Sequence, residues 1–293
     1  MLIRRNYVKK LCLFRIMEIS FSIVVIIFIS SCVSRSPQHD AKAFGAIGTE
    51  ADAYIFFPVS GNESLLRIVL THFVSKQTAL QYLNRTSALY IGVNYEVTPS
   101  ITLVSTGSYP VSLGDLLFSK KDGWEKHRAA TLNNHTYYTS SVADIVVQEK
   151  NAFALFGGTQ RNTAAFLQRI AEPHQPVFSP RFQALGESGS TDTIGLYTRS
   201  GNRVAAALLG LEGIELPIRS IELYLKKNTD SVYRCFAVFE TTDVRTALVV
   251  KLLLSRVMDG DFSVQDASVF VENADITETE LIKILEPIIF KSL

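Results

Sequence analysis

The chain has 293 residues, of which 47% are hydrophobic and 19% are charged. These proportions are typical of a globular body of one or two domains and exclude an intrinsically disordered chain. The 29 basic and 28 acidic residues leave a formal net charge of +1. Such a balance gives no strong positive field, so nucleic acid is not an expected partner.

The first 31 residues have the pattern of an export signal. Several basic residues, the last of them Arg15, precede an apolar run of about eleven residues from Ile19 to Ile29. This run fits the hydrophobic region of a signal peptide and is shorter than the roughly 20 residues that a membrane-spanning helix needs. We therefore predict that residues 1–31 form a signal peptide.

The apolar run ends in Ile29, Ser30, Ser31 and Cys32. An aliphatic residue, two small residues and a cysteine in this order resemble the lipobox that signal peptidase II cleaves in bacterial lipoprotein precursors. The resemblance covers the first 32 residues. It implies a mature chain that begins at Cys32, with diacylglyceryl on the thiol and usually an acyl chain such as palmitate on the amino group. Two or more acyl chains are enough for stable membrane anchoring.

The lipoprotein interpretation predicts a location in the cell envelope, where the chain is lipid-anchored to a bacterial membrane and faces the periplasm or the surface. Relaxed lipoboxes of this kind are familiar in spirochaetes, and the body is similar to spirochaete-type envelope lipoproteins that have no assigned activity. Two alternatives remain open: an uncleaved anchor helix, or a secretory signal followed by an incidental cysteine. Residues 32–50 are rich in small residues and predict a flexible tether after Cys32.

The body contains an internal repeat. The strand pattern after Asp52 ends in Ser60-Gly61-Asn62, and the strand pattern after Asp192 ends in Ser200-Gly201-Asn202, 140 residues later. Further similar segments follow in the same order. They include Leu89-Tyr90-Ile91 with Leu223-Tyr224-Leu225, Val147-Gln148-Glu149 with Val264-Gln265-Asp266, and the helical pattern of Phe166, Leu167 and Ile170 with that of Leu281, Ile282 and Leu285. Ordered matches of this kind predict a duplicated fold.

The predicted fold class is α+β, with two tandem homologous repeats that each contain a mainly antiparallel sheet packed with helices. The first repeat spans residues 51–173 and the second spans residues 191–293. Residues 174–190 contain two prolines and little periodicity, which predicts a linker. In each half the leucines and a tyrosine alternate. We expect Tyr90 and Tyr224 either to pack under a helix or to line a groove.

The first repeat contains an insertion at residues 119–139 that has no counterpart in the second. It holds six aromatic or cationic candidates for a recognition loop: Trp124, His127, Arg128, His135, Tyr137 and Tyr138. Aromatic side chains beside cations on a loop are typical of recognition surfaces. The alternative is that Trp124, the only tryptophan, fills the core of its own half and the rest is a solvated loop.

No pattern in the chain identifies an enzyme. The Gly-x-Ser-x-Gly elbow, the P-loop and the dinucleotide fingerprint do not occur, and the five histidines do not have metal-ligand spacing. Asp52 and Asp192 occupy equivalent positions, but carboxylate catalysis requires that they meet in one cleft. Cys235 is either a small core residue or a reactive thiol. We therefore assign no catalytic residue, no metal site and no cofactor.

The functional prediction is a membrane-anchored envelope lipoprotein with a non-enzymatic binding or scaffolding role. Its partners would be the membrane, through lipid on Cys32, and an envelope protein. One alternative is a carrier or chaperone for an apolar ligand or lipid, held in a groove between the repeats. A further alternative is an enzyme without a recognisable motif.

Overall fold

The computed structural model describes residues 41–71, 74–95, 100–109, 113–129, 135–141, 143–147, 151–156, 163–187, 192–202, 204–205, 216–229 and 231–289. Twelve strands within these residues form one sheet. They are β1 (Ala53–Pro58), β2 (Thr86–Asn94), β3 (Ser100–Gly107), β4 (Glu125–Ala129), β5 (His135–Thr139), β6 (Ala143–Val147), β7 (Asn151–Phe156), β8 (Thr193–Thr198), β9 (Ile218–Thr229), β10 (Val232–Thr241), β11 (Asp261–Gln265) and β12 (Ser268–Thr277).

The strand order is β11-β12-β10-β9-β8-β1-β2-β3-β7-β6-β5-β4, and each neighbouring pair is antiparallel. This sheet and its helices confirm the predicted α+β class. Eight α-helices are described. They are α1 (Ala41–Ile47), α2 (Glu63–Thr71), α3 (Lys76–Leu83), α4 (Leu113–Leu117), α5 (Thr163–Ala171), α6 (Pro180–Glu187), α7 (Val244–Val257) and α8 (Glu278–Ile289).

Helices cover both faces of the sheet. The α7 face carries α2, α3, α4, α7 and α8, whose buried side chains join one apolar cluster with Ile55 and Leu223. The α1 face carries α1, α5 and α6, which form a second cluster with Tyr54 and Tyr90. Alternation along each strand divides the side chains between the two clusters, as the sequence pattern predicts. Tyr90 packs beneath a helix, since its ring centroid lies 5.0 Å from that of Phe44 in α1.

The two halves of the chain meet where β1 pairs with β8. Ala53 lies opposite Thr198, and Phe56 lies opposite Gly195. Residues 37–293 form one compact unit, so the two halves share one continuous sheet and are not separate bodies. Asp52 reinforces the junction, because its carbonyl oxygen accepts a hydrogen bond from Arg199 N and its Oδ1 accepts one from Ser200 Oγ at 2.7 Å.

Strand order outward from this junction is equivalent on the two sides. The first half runs β1-β2-β3-β7-β6, and the second half runs β8-β9-β10-β12-β11. When the hairpin of β4 and β5 is left out of the first half, each half has five strands. In both halves the fifth of these strands in chain order lies next to the third. This order supports the predicted duplication of residues 51–173 and 191–293, which stays a prediction.

The predicted tether at residues 32–50 is wrong for its last ten residues. Residues 41–47 form α1, in which Phe44 is 4% exposed and Ile47 is 6% exposed. The helix lies against the sheet at Gly92, where a Cβ atom would overlap the side chain of Ile47. Alanine and glycine suggest flexibility by composition, but in α1 they allow close packing on β2.

The predicted linker at residues 174–190 also contains a helix. Ser179 caps α6, since its Oγ accepts a hydrogen bond from Phe182 N at 3.1 Å. Pro180 is the first helical residue, where its fixed φ is favourable and its missing N–H has no cost. The proline that suggested a linker therefore begins a helix. Phe182 is 2% exposed and packs against Gly195 of β8.

The last helices of the two halves lie on opposite faces of the sheet, although their apolar patterns match. Phe166 of α5 belongs to the cluster on the α1 face, and Leu281 of α8 belongs to the cluster on the α7 face. Six residues separate β7 from α5, whereas α8 begins directly after β12. A capping box begins α8, because Thr277 N donates to Glu280 Oε2 at 2.9 Å and Glu280 N donates to Thr277 Oγ1 at 3.2 Å.

We expect Phe44→Ala to lower the free energy of unfolding by about 3–5 kcal/mol, as for other buried phenylalanines. The measurement is urea unfolding followed by circular dichroism. Thr49→Ala, at an exposed position after α1, is the control and should leave the midpoint unchanged. Equal midpoints for Phe44→Ala and the unsubstituted chain would mean that residues 41–50 are a tether after all.

Candidate functional site

The residues predicted from the sequence as functional lie in two places. Ile29, Ser30, Ser31 and Cys32 lie outside the described residues, so their role stays a prediction. The predicted recognition loop at residues 119–139 is a hairpin. Its strands β4 and β5 pair with each other, and β5 pairs in turn with β6, so the hairpin forms one edge of the sheet.

Two of the six candidate recognition residues lie in the core. The ring centroid of Trp124 is 4.8 Å from that of Phe118, and the centroid of Tyr138 is 5.4 Å from the same ring. Trp124 is 7% exposed and Tyr138 is 3% exposed. The structure therefore agrees with the alternative in which Trp124 fills the core of its own half.

The other four candidates lie on the hairpin strands. His127 and Tyr137 stack with their ring centroids 5.1 Å apart, and His127 Nε2 lies 2.9 Å from Thr139 Oγ1. Arg128 is exposed on β4, and His135 begins β5 opposite Ala129. The structure thus brings His127 and Tyr137 together, and a recognition role for these four residues stays a prediction.

A carboxylate joins the hairpin to α4. Asp115 Oδ1 accepts hydrogen bonds from Lys126 Nζ at 2.6 Å and from Tyr138 OH at 2.8 Å. The bond from Lys126, followed by the bond from Tyr138, lowers the pKa of Asp115. A carboxyl group whose pKa is lowered by folding stabilises the folded state while it is ionised. This contact is therefore complete at neutral pH and is lost as the pH falls through the lowered pKa.

The equivalent carboxylates Asp52 and Asp192 do not share a cleft. They precede β1 and β8, which run antiparallel, so they lie at opposite ends of the central strand pair. Asp52 Oδ2 accepts a hydrogen bond from Tyr95 N at 2.7 Å, and Asp192 Oδ2 lies 3.3 Å from Lys226 Nζ. Both carboxylates have structural partners, and this arrangement does not provide an acid–base pair.

The only cysteine of the described region is buried. Cys235 is 1% exposed on β10, and burial raises the pKa of its thiol to about 12. Its thiolate is therefore scarce at neutral pH, which agrees with a core role.

Within the same described ranges, no three His, Cys, Asp or Glu side chains are grouped to hold a metal ion. Nor does any helix there combine the length and hydropathy needed to cross a membrane.

The strongest unexplained feature is the solvent side of α7. Its inner side packs Ala247, Val250 and Leu254 on the sheet. On its outer side, Leu248, Val249 and Leu252 are 54%, 51% and 56% exposed. Arg245 and Arg256 are exposed on the same side, near the two ends of the helix. These five residues, Arg245, Leu248, Val249, Leu252 and Arg256, are called the α7 outer surface below.

Sequence reasoning missed the α7 outer surface, although the sequence contains a signal for it. Residues 247–254 read Ala-Leu-Val-Val-Lys-Leu-Leu-Leu, so apolar side chains point in nearly every direction around the helix. Such a helix must be covered on all sides or must face an apolar partner. The described part of the chain covers only the inner side.

The groove predicted for an apolar ligand is not found between the strands of the two halves. β1 and β8 are direct hydrogen-bonded neighbours, and Ile55 and Leu196 lie opposite each other across the junction. Both side chains are buried, at 0% and 3% exposure. Any groove between the halves would therefore have to lie between the helices above this junction.

Comparison with known proteins gives a consistent result. The family model described as "Outer membrane-associated lipoprotein TP0453" matches residues 38–282. The chain is 29% identical over 252 residues to "Outer membrane protein TP0453" of Treponema pallidum (strain Nichols). This alignment covers 84% of the chain and 86% of the relative.

Solved structures of the same relative have a similar fold. Crystal form I of TP0453 superposes with a TM-score of 0.75 at 26% sequence identity, covering 86% of this chain and 99% of the other. Crystal form III gives a TM-score of 0.74 at 28% identity, covering 83% and 97%. The similarity therefore extends over nearly the whole body of the solved protein.

Proposed function

The chain belongs to the outer membrane-associated lipoprotein TP0453 family, and on this premise we propose that lipid on Cys32 and the α7 outer surface hold it against the bilayer together. Family membership confirms the predicted membrane-associated lipoprotein of the cell envelope. The proposed role is that of a non-enzymatic scaffold, whose body lies on the membrane surface. The observation that carries it is the exposed apolar side of α7.

The α7 outer surface has the composition of a helix that lies in a membrane interface. Such helices present leucine or valine to the acyl region and basic residues to the headgroups. The apolar contacts to the acyl region would come from Leu248, Val249 and Leu252. The basic contacts to the headgroups would come from Arg245 and Arg256. The helix is also well anchored in the body, since Asp243 Oδ1 caps it by accepting a hydrogen bond from Thr246 N at 3.0 Å.

The free energy available from this surface is modest. Full burial of a leucine or valine side chain stabilises by about 1.5–3 kcal/mol, so three half-exposed side chains offer roughly 3 kcal/mol. That corresponds to about a hundredfold preference for the bilayer, which is too weak to hold a free protein at low concentration. A lipid anchor would make the second contact effective by keeping α7 near the bilayer.

The short segment before the body supports this cooperation. Nine residue steps separate Cys32 from Ala41, the first residue of α1. A fully extended chain of that length reaches at most about 30 Å. An anchor on Cys32 would therefore keep the body within a few nanometres of the membrane, where a weak surface contact is occupied most of the time.

We expect intact mass spectrometry of the protein purified from its native host to show a chain that begins at Cys32 and carries acyl groups. Cys32→Ser should abolish the added mass and move the protein from the detergent phase to the aqueous phase. An unmodified Cys32, or a chain that retains Met1, would contradict the anchoring proposal.

We expect Leu248→Gln combined with Leu252→Gln to weaken vesicle binding about tenfold or more, because both side chains lose their apolar transfer energy. The measurement is sedimentation with vesicles that contain phosphatidylglycerol, in a Cys32→Ser background that removes any lipid contribution. Both leucines are half-exposed in the body, so the substitutions should leave the unfolding midpoint unchanged.

The matched control for that experiment is Leu116→Gln in α4, where Leu116 is 69% exposed. It removes an exposed leucine away from the α7 outer surface and should not alter vesicle binding. An equal loss with Leu116→Gln would point to general stickiness, and undiminished binding by the α7 variant would exclude α7 as the contact.

A further inference from the structure

The helix α7 is basic as well as apolar. Its charged residues are Arg245, Lys251 and Arg256, and residues 244–257 contain no aspartate or glutamate. Arg245 and Arg256 are exposed on the α7 outer surface, and Lys251 beside it is partly exposed. The helix therefore carries three positive charges and no negative charge along its length.

The cations surround the exposed apolar side chains. Arg245 precedes Leu252 by seven residues and Arg256 follows it by four, so all three lie on one side of the helix. At 1.5 Å per residue, the two arginines lie roughly 16 Å apart along the helix axis. Lys251 follows Leu248 by three residues and borders the same surface. Long basic side chains in this position extend to the headgroups while the apolar side chains enter the acyl region.

The three cations of α7 have no carboxylate within ion-pair distance in the described part of the chain. Several exposed cations elsewhere do have one. Lys126 Nζ lies 2.6 Å from Asp115 Oδ1, and Arg234 Nε lies 3.1 Å from Asp275 Oδ1. The positive charge of α7 is therefore not neutralised by such pairs and is available to an anionic surface.

The acidic residues nearest in sequence flank α7 and do not pair with its cations. Asp243 Oδ1 accepts a hydrogen bond from Thr246 N at 3.0 Å, and its Oδ2 accepts bonds from the hydroxyls of Thr242 and Thr246, both at 2.9 Å. These bonds hold the carboxylate at the N-terminus of the helix as its cap. Asp259 lies two residues beyond Val257, where α7 ends.

We propose that the α7 outer surface, together with Lys251, selects anionic phospholipids over zwitterionic ones, and that it recognises negative surface charge and not one particular headgroup. The proposal rests on the proposed function, because it names the class of lipid that the α7 contact takes. Exposed cations spread over roughly 16 Å of helix would contact separate headgroups. Charge density is therefore the property that such a surface recognises.

The expected selectivity is measurable at moderate salt. A basic residue held near an anionic membrane surface strengthens binding by about fivefold. Three such residues therefore favour anionic vesicles by about tenfold or more. Screening should remove most of this preference, because the Debye length falls from about 10 Å at about 0.1 M salt to about 3 Å at about 1 M.

The test is sedimentation of the mature chain, residues 32–293 with Cys32→Ser, with vesicles of phosphatidylcholine alone or with added phosphatidylglycerol. We expect Arg245→Gln combined with Lys251→Gln and Arg256→Gln to weaken binding to the phosphatidylglycerol vesicles about tenfold or more. Binding to pure phosphatidylcholine should stay unchanged. Glutamine is a good helix former, so α7 should be preserved, which circular dichroism verifies.

The matched control is Lys120→Gln combined with Lys121→Gln and Arg128→Gln, which also removes three exposed cations. These residues lie in or just before β4, the edge strand opposite to β11, on which α7 packs. The control should keep the preference for phosphatidylglycerol. An equal loss in the control would assign the preference to overall charge and overturn the proposal. So would equal binding of the unsubstituted chain to both kinds of vesicle, or a preference that persists at about 1 M salt.

Vesicles with phosphatidylserine at the same molar fraction separate charge from headgroup structure. Equal binding to phosphatidylserine and phosphatidylglycerol supports the proposal, and binding to only one of them overturns it in favour of a specific headgroup site.

The variant with Leu248→Gln and Leu252→Gln separates failure of this proposal from failure of the α7 membrane contact. If only charge selection is wrong, the leucine variant loses binding to both kinds of vesicle, whereas the variant without the three cations binds like the unsubstituted chain. If the α7 contact itself is wrong, the leucine variant binds both kinds of vesicle undiminished.

Discussion

The antiparallel pairing of β1 with β8 holds the described fold together. Without it each half would expose the edge of a strand whose side chains are largely apolar, and such edges associate with other chains. With it, β1 is buried on both faces and lies at the centre of a twelve-stranded sheet. Asp52 completes the junction by accepting a hydrogen bond from Ser200 of the other half. Asp52 and Ser200 therefore have a structural role at the junction, whereas Asp192 contacts Lys226.

The junction also determines which surfaces remain available. Two halves that share a sheet cannot enclose a groove between their strands, and the buried side chains along β1 and β8 fill that position. On the second half, α7 leaves three apolar side chains of its outer side half-exposed, at Leu248, Val249 and Leu252. The proposed membrane contact uses this exposed side of α7.

Much of this architecture could be predicted from the sequence, because strands that alternate between two cores leave a clear periodicity. The pattern of Leu89, Tyr90 and Ile91 correctly assigned each side chain to its face, and the lipobox predicted the envelope location that family membership confirms. The α1 and α6 helices were missed because their alanine, glycine and proline content suggested flexibility, while their stability comes from tertiary contacts. The sequence left open whether Trp124 fills the core or belongs to a recognition loop, because its burial depends on its tertiary contact with Phe118.

The face of the sheet on which α8 packs could not be predicted from the sequence. The apolar patterns of α5 and α8 match, yet the short connection after β12 keeps α8 on the α7 face, and the longer one after β7 lets α5 reach the other. The matching apolar patterns of α5 and α8 therefore do not determine which face each helix covers.

Hydrogen exchange measured by mass spectrometry, with and without phosphatidylglycerol vesicles, tests the account most directly. We predict that peptides from β1 and β8 exchange slowly under both conditions, because the junction holds the sheet together. We also predict that vesicles protect only the peptides that contain residues 244–257. Vesicles that leave α7 unprotected, or that speed exchange in β1 and β8, would contradict a preformed sheet that meets the membrane through one helix.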